Sequence, residues 1–190
     1  MNPTAWQSLK TPKHPWLATR ALALVMLALL LSACGFRLQG TTPLPFDSMY
    51  VNVPQNTAFG ADLRRAIRAA SGQTQIVNDR SEPFDIAFEE VAQTRSTREV
   101  SLNAQGRVEE YELTLTYIFR LVTPEGELVL PDTTLRAVRN LPFDDRVVQA
   151  KEVEEATLFA QMQQSLIARI LRRISAPDVV KSFRDVQAGG

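Results

Sequence analysis

Between residues 111 and 121 the chain alternates without a break. Tyr111, Leu113, Leu115, Tyr117, Phe119 and Leu121 are separated by Glu112, Thr114, Thr116, Ile118 and Arg120. Side chains two apart in a strand share a face, so six matches in a row specify a β-strand with one covered side and one more polar side. The fold must therefore supply something apolar to lie over the first face. Thr123-Pro-Glu-Gly126 follows as a turn, with Pro124 in the favoured second position. A returning antiparallel strand is expected from Leu128 to Asn140, with Pro131 marking an edge or a bulge.

Upstream, Phe84, Ile86 and Phe88 alternate until Val91 breaks the phase, which predicts a bulge. Residues 49–53 read as a strand closed by Pro54. Phe59, Leu63, Ala66, Ile67 and Ala70 then fall at helical spacing, with Thr57 as N-cap and Gly72 as the stop. Gln75-Ile-Val77 fits a short second strand, which gives a β-α-β opening. A helix of nearly thirty residues is expected from about Asp145 to Ile174. Asp144 and Asp145 suit its positive end, and Arg169, Arg172 and Arg173 its negative end. Phe159, Met162, Leu166, Ile167, Ile170, Leu171 and Ile174 form its apolar stripe, and Pro177 ends it. The reading is an α+β domain over residues 49–176, two helices on one face of a small mixed sheet, followed by a flexible tail over 177–190.

The first forty residues say something different. Lys10, Lys13 and Arg20 precede an apolar run, residues 21–31, that ends in Ser32-Ala33-Cys34. A basic start, a short apolar core and a small-residue exit make an export signal, and the run falls short of the roughly 20 residues a spanning helix needs. Leu31-Ser32-Ala33-Cys34 resembles the lipobox of bacterial lipoproteins. That resemblance implies removal of residues 1–33 and acylation of Cys34. Each buried CH2 contributes about 0.8 kcal/mol, so two or three acyl chains anchor stably where one does not. By the same resemblance to bacterial lipoproteins, Gly35 in place of Asp implies sorting to the outer membrane rather than retention at the inner one. Residues 34–48, with Pro43 and Pro45, read as anchor and linker.

Processing at this point leaves 157 of the 190 residues. Lys10, Lys13 and Arg20 go with the signal, so 18 of the 21 basic side chains remain against all 21 acidic ones. A mildly acidic domain is a poor partner for nucleic acid. Its basic groups are arginine apart from Lys151 and Lys181, which suits planar contact with carboxylates and phosphates. His14, the sole histidine, leaves with the signal, and the sole cysteine carries lipid. Ser-His-Asp and Cys-His catalysis and His or Cys zinc sites are thereby excluded. Carboxylate pairs or a Ser-Lys dyad would remain, but neither has a local motif. The chain reads as a non-enzyme that needs no cofactor or metal.

Three further segments carry a resemblance: Cys34-Gly-Phe-Arg-Leu38, Gly106-Arg-Val-Glu-Glu-Tyr-Glu-Leu113, and Gln149-Ala-Lys-Glu-Val-Glu-Glu155 running into Arg169-Ile-Leu-Arg-Arg173. In this order and spacing the chain resembles the lipopolysaccharide-assembly lipoprotein (LptE) family, from Cys34 to about Pro177. The resemblance implies two helices on a four-stranded sheet. It also implies a periplasm-facing, lipid-anchored plug inside the large outer-membrane β-barrel of lipopolysaccharide transport (LptD type), helping the barrel assemble and lipopolysaccharide reach the outer leaflet. It places lipid on Cys34 and a lipopolysaccharide contact on Lys151, for which the alternative is an i,i+4 partner of Glu155. The family's other basic position falls on Ala104-Gln105 here, so Arg95, Arg98 and Arg107 stand as substitutes, with solvated surface as the plainer reading. A periplasm-facing lipid or lipoprotein carrier and a pilot lipoprotein of another outer-membrane machine share the anchor and the lack of catalytic groups.

Overall fold

The computed structural model describes residues 44–143 and 148–189. The export signal, Cys34, and the Asp144 and Asp145 expected at a helix start lie outside the described residues. The elements run β1 (Ser48–Asn52), α1 (Ala58–Ala70), β2 (Gln75–Val77), β3 (Ile86–Leu102), β4 (Val108–Val122), β5 (Leu128–Pro142), α2 (Val148–Ile174) and α3 (Pro177–Gly189). They build one sheet in the order β2-β1-β3-β4-β5. β1 is parallel to β2 and β3, while β3, β4 and β5 are antiparallel neighbours. The sheet is mixed as expected, but it has five strands rather than four, because the three-residue β2 pairs in register with β1 from Ser48↔Gln75.

Alternation in β4 does what it demands. Leu113, Leu115, Tyr117, Phe119 and Leu121 are fully buried, and Tyr111 is half-buried at the strand's start. They pack with Phe88, with Phe59, Leu63 and Ile67 of α1, and with Met162, Leu166 and Ile170 of α2. Phe88 stacks on Phe119 at 5.1 Å and Phe59 meets Tyr117 at 4.8 Å, offset arrangements that aromatic quadrupoles favour. The pairing of β3 with β4 shifts between Glu90 and Ala92, so Val91 is the bulged residue. A second shift, between the Phe119↔Thr133 and Leu121↔Leu130 pairs, brackets Pro131 on the edge strand β5.

Thr57 caps α1 as its sequence position predicts, its Oγ1 accepting from the Gly60 N–H at 3.0 Å. Gly60 is required there for closeness: a Cβ would overlap the Pro54 carbonyl oxygen. The β3–β4 turn closes on Asn103, whose Oδ1 accepts from the backbone N–H groups of Gln105 and Arg107, and Gly106 supplies the positive φ of 74°.

Two expectations need correction. A third helix replaces the flexible tail. Proline has no N–H to lose at the first helical position, so Pro177 ends α2 and opens α3 at once. Val179 and Phe183, four apart, bury the same face of α3. The linker likewise ends earlier than expected, since Leu44 and Phe46 belong to the core and Phe46 stands edge-on to Phe183 at 4.8 Å.

Candidate functional site

β1 leaves the sheet at its Asn52↔Glu89 pair, but β3, β4 and β5 run on as a three-stranded arm closed by the Asn103–Gly106 turn. α2 lies along one side of this arm. Lys151 holds its ammonium 3.6 Å from the centre of the Tyr111 ring and 5.1 Å from that of Phe143, and the two rings meet edge-on at 5.3 Å. One turn later Glu155 accepts from the Thr97 hydroxyl at 2.9 Å. A further turn on, the Arg95 guanidinium lies 5.2 Å from the Phe159 ring. A cation over an aromatic face contributes about 0.5–1 kcal/mol when exposed and about 2 when desolvated. Lys151 thus pins the first turns of α2 to the far end of the sheet, while Glu155, its i+4 neighbour, is engaged by β3.

The four basic candidates do not form one patch. Arg95 pairs across from Leu115 and Arg98 from Glu112, so the two point to opposite faces of the sheet. Arg95 and Lys151 stand on the helix side, each against an aromatic ring. Arg98 is on the open side in an ion pair with Glu112 at 2.9 Å. Arg107 sits at the turn itself, where its backbone N–H closes on Asn103. A strand's period of two separates any residues three apart in this way, which sequence proximity hid.

Several polar groups carry more of the structure than their sequence positions suggest. Glu89, on the open side, receives Arg80 at 3.1 Å and Arg120 at 2.9 Å. Arg64 is 5% exposed and donates to three carbonyls: Val51 at 2.8 Å, Val53 at 2.7 Å and Gly60 at 3.2 Å. Burial, and then the charge of Arg68, push its pKa down. Its signal in the sequence was an arginine immediately beside Leu63 on the apolar stripe of α1. Burial, followed by the negative Glu90 nearby, pushes the Tyr117 phenol pKa up.

What the arrangement can do is bind. Among the described residues no group of three or more His, Cys, Asp or Glu side chains could hold a metal ion, and no helix is long and apolar enough to cross a membrane. The arm instead offers two ring-held cations, Lys151 and Arg95, on its helix side, with Arg98 paired to Glu112 on the open side and Arg107 at the tip. Guanidinium and ammonium groups are the kind of donors that form charge-assisted bonds to phosphate.

A model of the lipopolysaccharide-assembly family, LptE, matches residues 46–174. The chain is 26% identical over 156 residues to the LPS-assembly lipoprotein LptE of Pectobacterium atrosepticum, covering 80% of this chain and 83% of the relative. It is 26% identical over 160 residues to the LptE protein of Photorhabdus laumondii, covering 82% and 85%. Among solved structures, lipoprotein B of Nitrosomonas europaea is similar with a TM-score of 0.62 and 33% identity, over 75% of this chain and 91% of that one. Rare lipoprotein B of Shewanella oneidensis shares the fold at 20% identity with a TM-score of 0.59, over 70% and 96%. The matched residues include β1 through α2, that is the whole sheet and the helices α1 and α2. The chain belongs to the lipopolysaccharide-assembly (LptE) family.

Proposed function

We propose that this chain is an outer-membrane lipoprotein, anchored on the periplasmic side by acyl chains on Cys34, that plugs and helps assemble the β-barrel of lipopolysaccharide transport (LptD type) and assists insertion of lipopolysaccharide into the outer leaflet. The observation that carries this reading is the family match across residues 46–174, with relatives named for lipopolysaccharide assembly. A non-enzymatic role fits a chain that from Cys34 onward contains no histidine and no cysteine besides Cys34, and whose carboxylates and serines carry no local catalytic motif. A long arm with polar groups on its open face suits a wet, polar barrel lumen, and its ring-held cations suit the phosphates of lipid A.

An affinity pull-down from detergent-solubilised outer membranes tests the partner. A stoichiometric large β-barrel that persists through washing is expected. Recovery of the lipoprotein alone, or with an unrelated secretion pore, would move the function to the carrier or pilot reading. For the ligand, Lys151→Glu combined with Arg107→Glu is expected to weaken lipopolysaccharide binding severalfold. Lys151→Met provides the control, because it also removes the ammonium from the Tyr111 ring without adding a negative charge. Unchanged binding in the double reversal would sink the assignment of these two residues.

A further inference from the structure

Where β1 leaves the sheet, the helix side opens into a hollow of about 240 Å³. Pro54 and Phe59 line it from the exit of β1 and the first turn of α1, Glu90, Gln93 and Arg95 from β3, and Gln163 from α2. The β3 residues converge there because of the Val91 bulge. Glu90 pairs across from Phe119, Gln93 from Tyr117 and Arg95 from Leu115, all three partners lying on the buried side of β4. In an unbroken strand residues 90 and 93 would stand on opposite faces. One extra residue brings both to the helix side, and bulges commonly re-aim side chains in this way beside functional sites.

The polar groups gathered there are not used by the fold. Among the described residues the side-chain amides of Gln93 and Gln163 make no hydrogen bond, and Glu90 has no ion pair. Tyr117 stands behind the lining, across from Gln93 and 4.8 Å from the Phe59 ring. Its hydroxyl is fully buried and has no hydrogen-bond partner, a state that native interiors rarely leave unanswered. The negative charge acting on it is that of Glu90. Arg95 is steadied by the Phe159 ring, 5.2 Å away.

We propose that this hollow is a subsite for one neutral pyranose ring, its hydroxyls on Glu90, Arg95, Gln93 and Gln163 and its C–H face on Pro54 and Phe59. The lining selects the class. An anion would meet Arg95 but be opposed by Glu90, and a cation the reverse. A small zwitterion would answer the two charges and leave both amides bare. Hydroxyls donate and accept at once, as amides do, so a polyol answers all four groups. The hollow has room for about eight waters and is smaller than the roughly 300–1,000 Å³ of drug-sized sites, so it admits one ring rather than a chain. A hydroxyl donating to one Glu90 oxygen leaves the other to accept from Tyr117, which makes Tyr117 a positioning residue. The inference rests on the proposed function only for the source of the ring, the glycan of lipopolysaccharide. It moves Arg95 from the lipid A phosphates to that glycan and leaves phosphate to Lys151 and Arg107.

The methyl α-pyranosides of glucose, galactose and mannose are titrated separately into the full processed chain in detergent micelles and followed by amide NMR. Saturable shifts at Phe59, Gln93 and Gln163 are expected with at least one of them at millimolar concentration. Inorganic phosphate and phosphoethanolamine should produce none of these shifts. Glu90→Gln and Gln163→Leu should each weaken glycoside binding severalfold with circular dichroism unchanged. Tyr117→Phe removes only an unpartnered hydroxyl, so a merely structural Tyr117 would leave binding as it was. A positioning Tyr117 weakens it severalfold while the urea midpoint holds. No shift with any glycoside, equal shifts with phosphate or phosphoethanolamine, or glycoside binding indifferent to Glu90→Gln and Gln163→Leu would overturn the subsite. The source is read separately, with lipopolysaccharide and with lipid A alone. Glu90→Gln should weaken the first and spare the second; loss of both alike, or of neither, overturns the lipopolysaccharide glycan as the source and assigns the subsite to a free sugar. A chain that takes the glycoside but binds no lipopolysaccharide overturns the proposed function and upholds the subsite.

Discussion

Arg64→Met is expected to cost about 3–5 kcal/mol of folding stability, a large part of the roughly 5–15 kcal/mol that holds a domain of this size. The arginine is buried and, among the described residues, has no carboxylate partner. Its charge is distributed instead over the Val51, Val53 and Gly60 carbonyl oxygens, two on the exit of β1 and one on the first turn of α1. Each bond from a charged donor contributes about 1.5–3 kcal/mol net, and a buried carbonyl left without one costs about 1–3 kcal/mol. Methionine matches the stem in volume but supplies no donor, so its flexible packing recovers only part of the loss. Against this stands the relief of no longer burying a charge, since burial, and then the charge of Arg68, push the Arg64 pKa down. The loss of three bonds from a charged donor outweighs it. In urea the midpoint should fall by about 1–3 M with the slope unchanged. Arg64→Lys, with one ammonium in place of a fork, should recover part of the loss. A loss below about 1 kcal/mol would mean that water reaches the carbonyls, and Arg64 would not be what joins β1 to α1.

The residues whose partners are close in sequence, or whose pattern is periodic, were legible before any coordinates. The strand at 111–121, the Val91 bulge, the Pro131 irregularity and the Thr57 cap all follow from local rules: side-chain alternation, a phase break, a missing N–H, and a hydroxyl three residues from an orphan donor. What escaped was set by partners far along the chain or by a rule with two outcomes. For Lys151 the sequence offers a lipopolysaccharide contact or an i,i+4 pairing with Glu155, but not the Tyr111 ring, forty residues back, on which its ammonium lies and which only the strand register brings near. Arg95 and Arg98 looked like one patch until the strand's period put them on opposite faces. Pro177 satisfies both a helix stop and a helix start, and only the spacing of Val179, Phe183 and Val186 distinguishes them. Phe46 was assigned to a linker because Pro43 and Pro45 flank it closely, yet prolines exclude helix and ladder without excluding burial of the residue beside them. The family match over residues 46–174 spans the sheet, α1 and α2 and stops just before α3.

That boundary makes Phe183 the most informative single position in α3. Phe183→Ala should cost about 3–5 kcal/mol, the usual range for deleting a buried aromatic ring. The ring is 4% exposed and joins three parts of the molecule: α3 itself, the entering chain through its edge-on contact with Phe46, and the wall of a depression of about 590 Å³ that Phe84 and the β4–β5 turn also line. Its loss should be felt beyond its own helix. Residues 44–48 lead straight into β1, whose first amides are tied to Asp85, so native-state hydrogen exchange at Asp47 and Ser48 should accelerate by more than that at the centre of β4. Phe183→Leu, which keeps most of the volume, should lose less than half as much. If α3 were an appendage resting on a finished domain, alanine would change the urea midpoint little and leave exchange in β1 untouched. If the ring closes the core from outside the family's common region, both will move, and the end of the chain that meets the anchor segment will prove to be part of the folding unit rather than a tail.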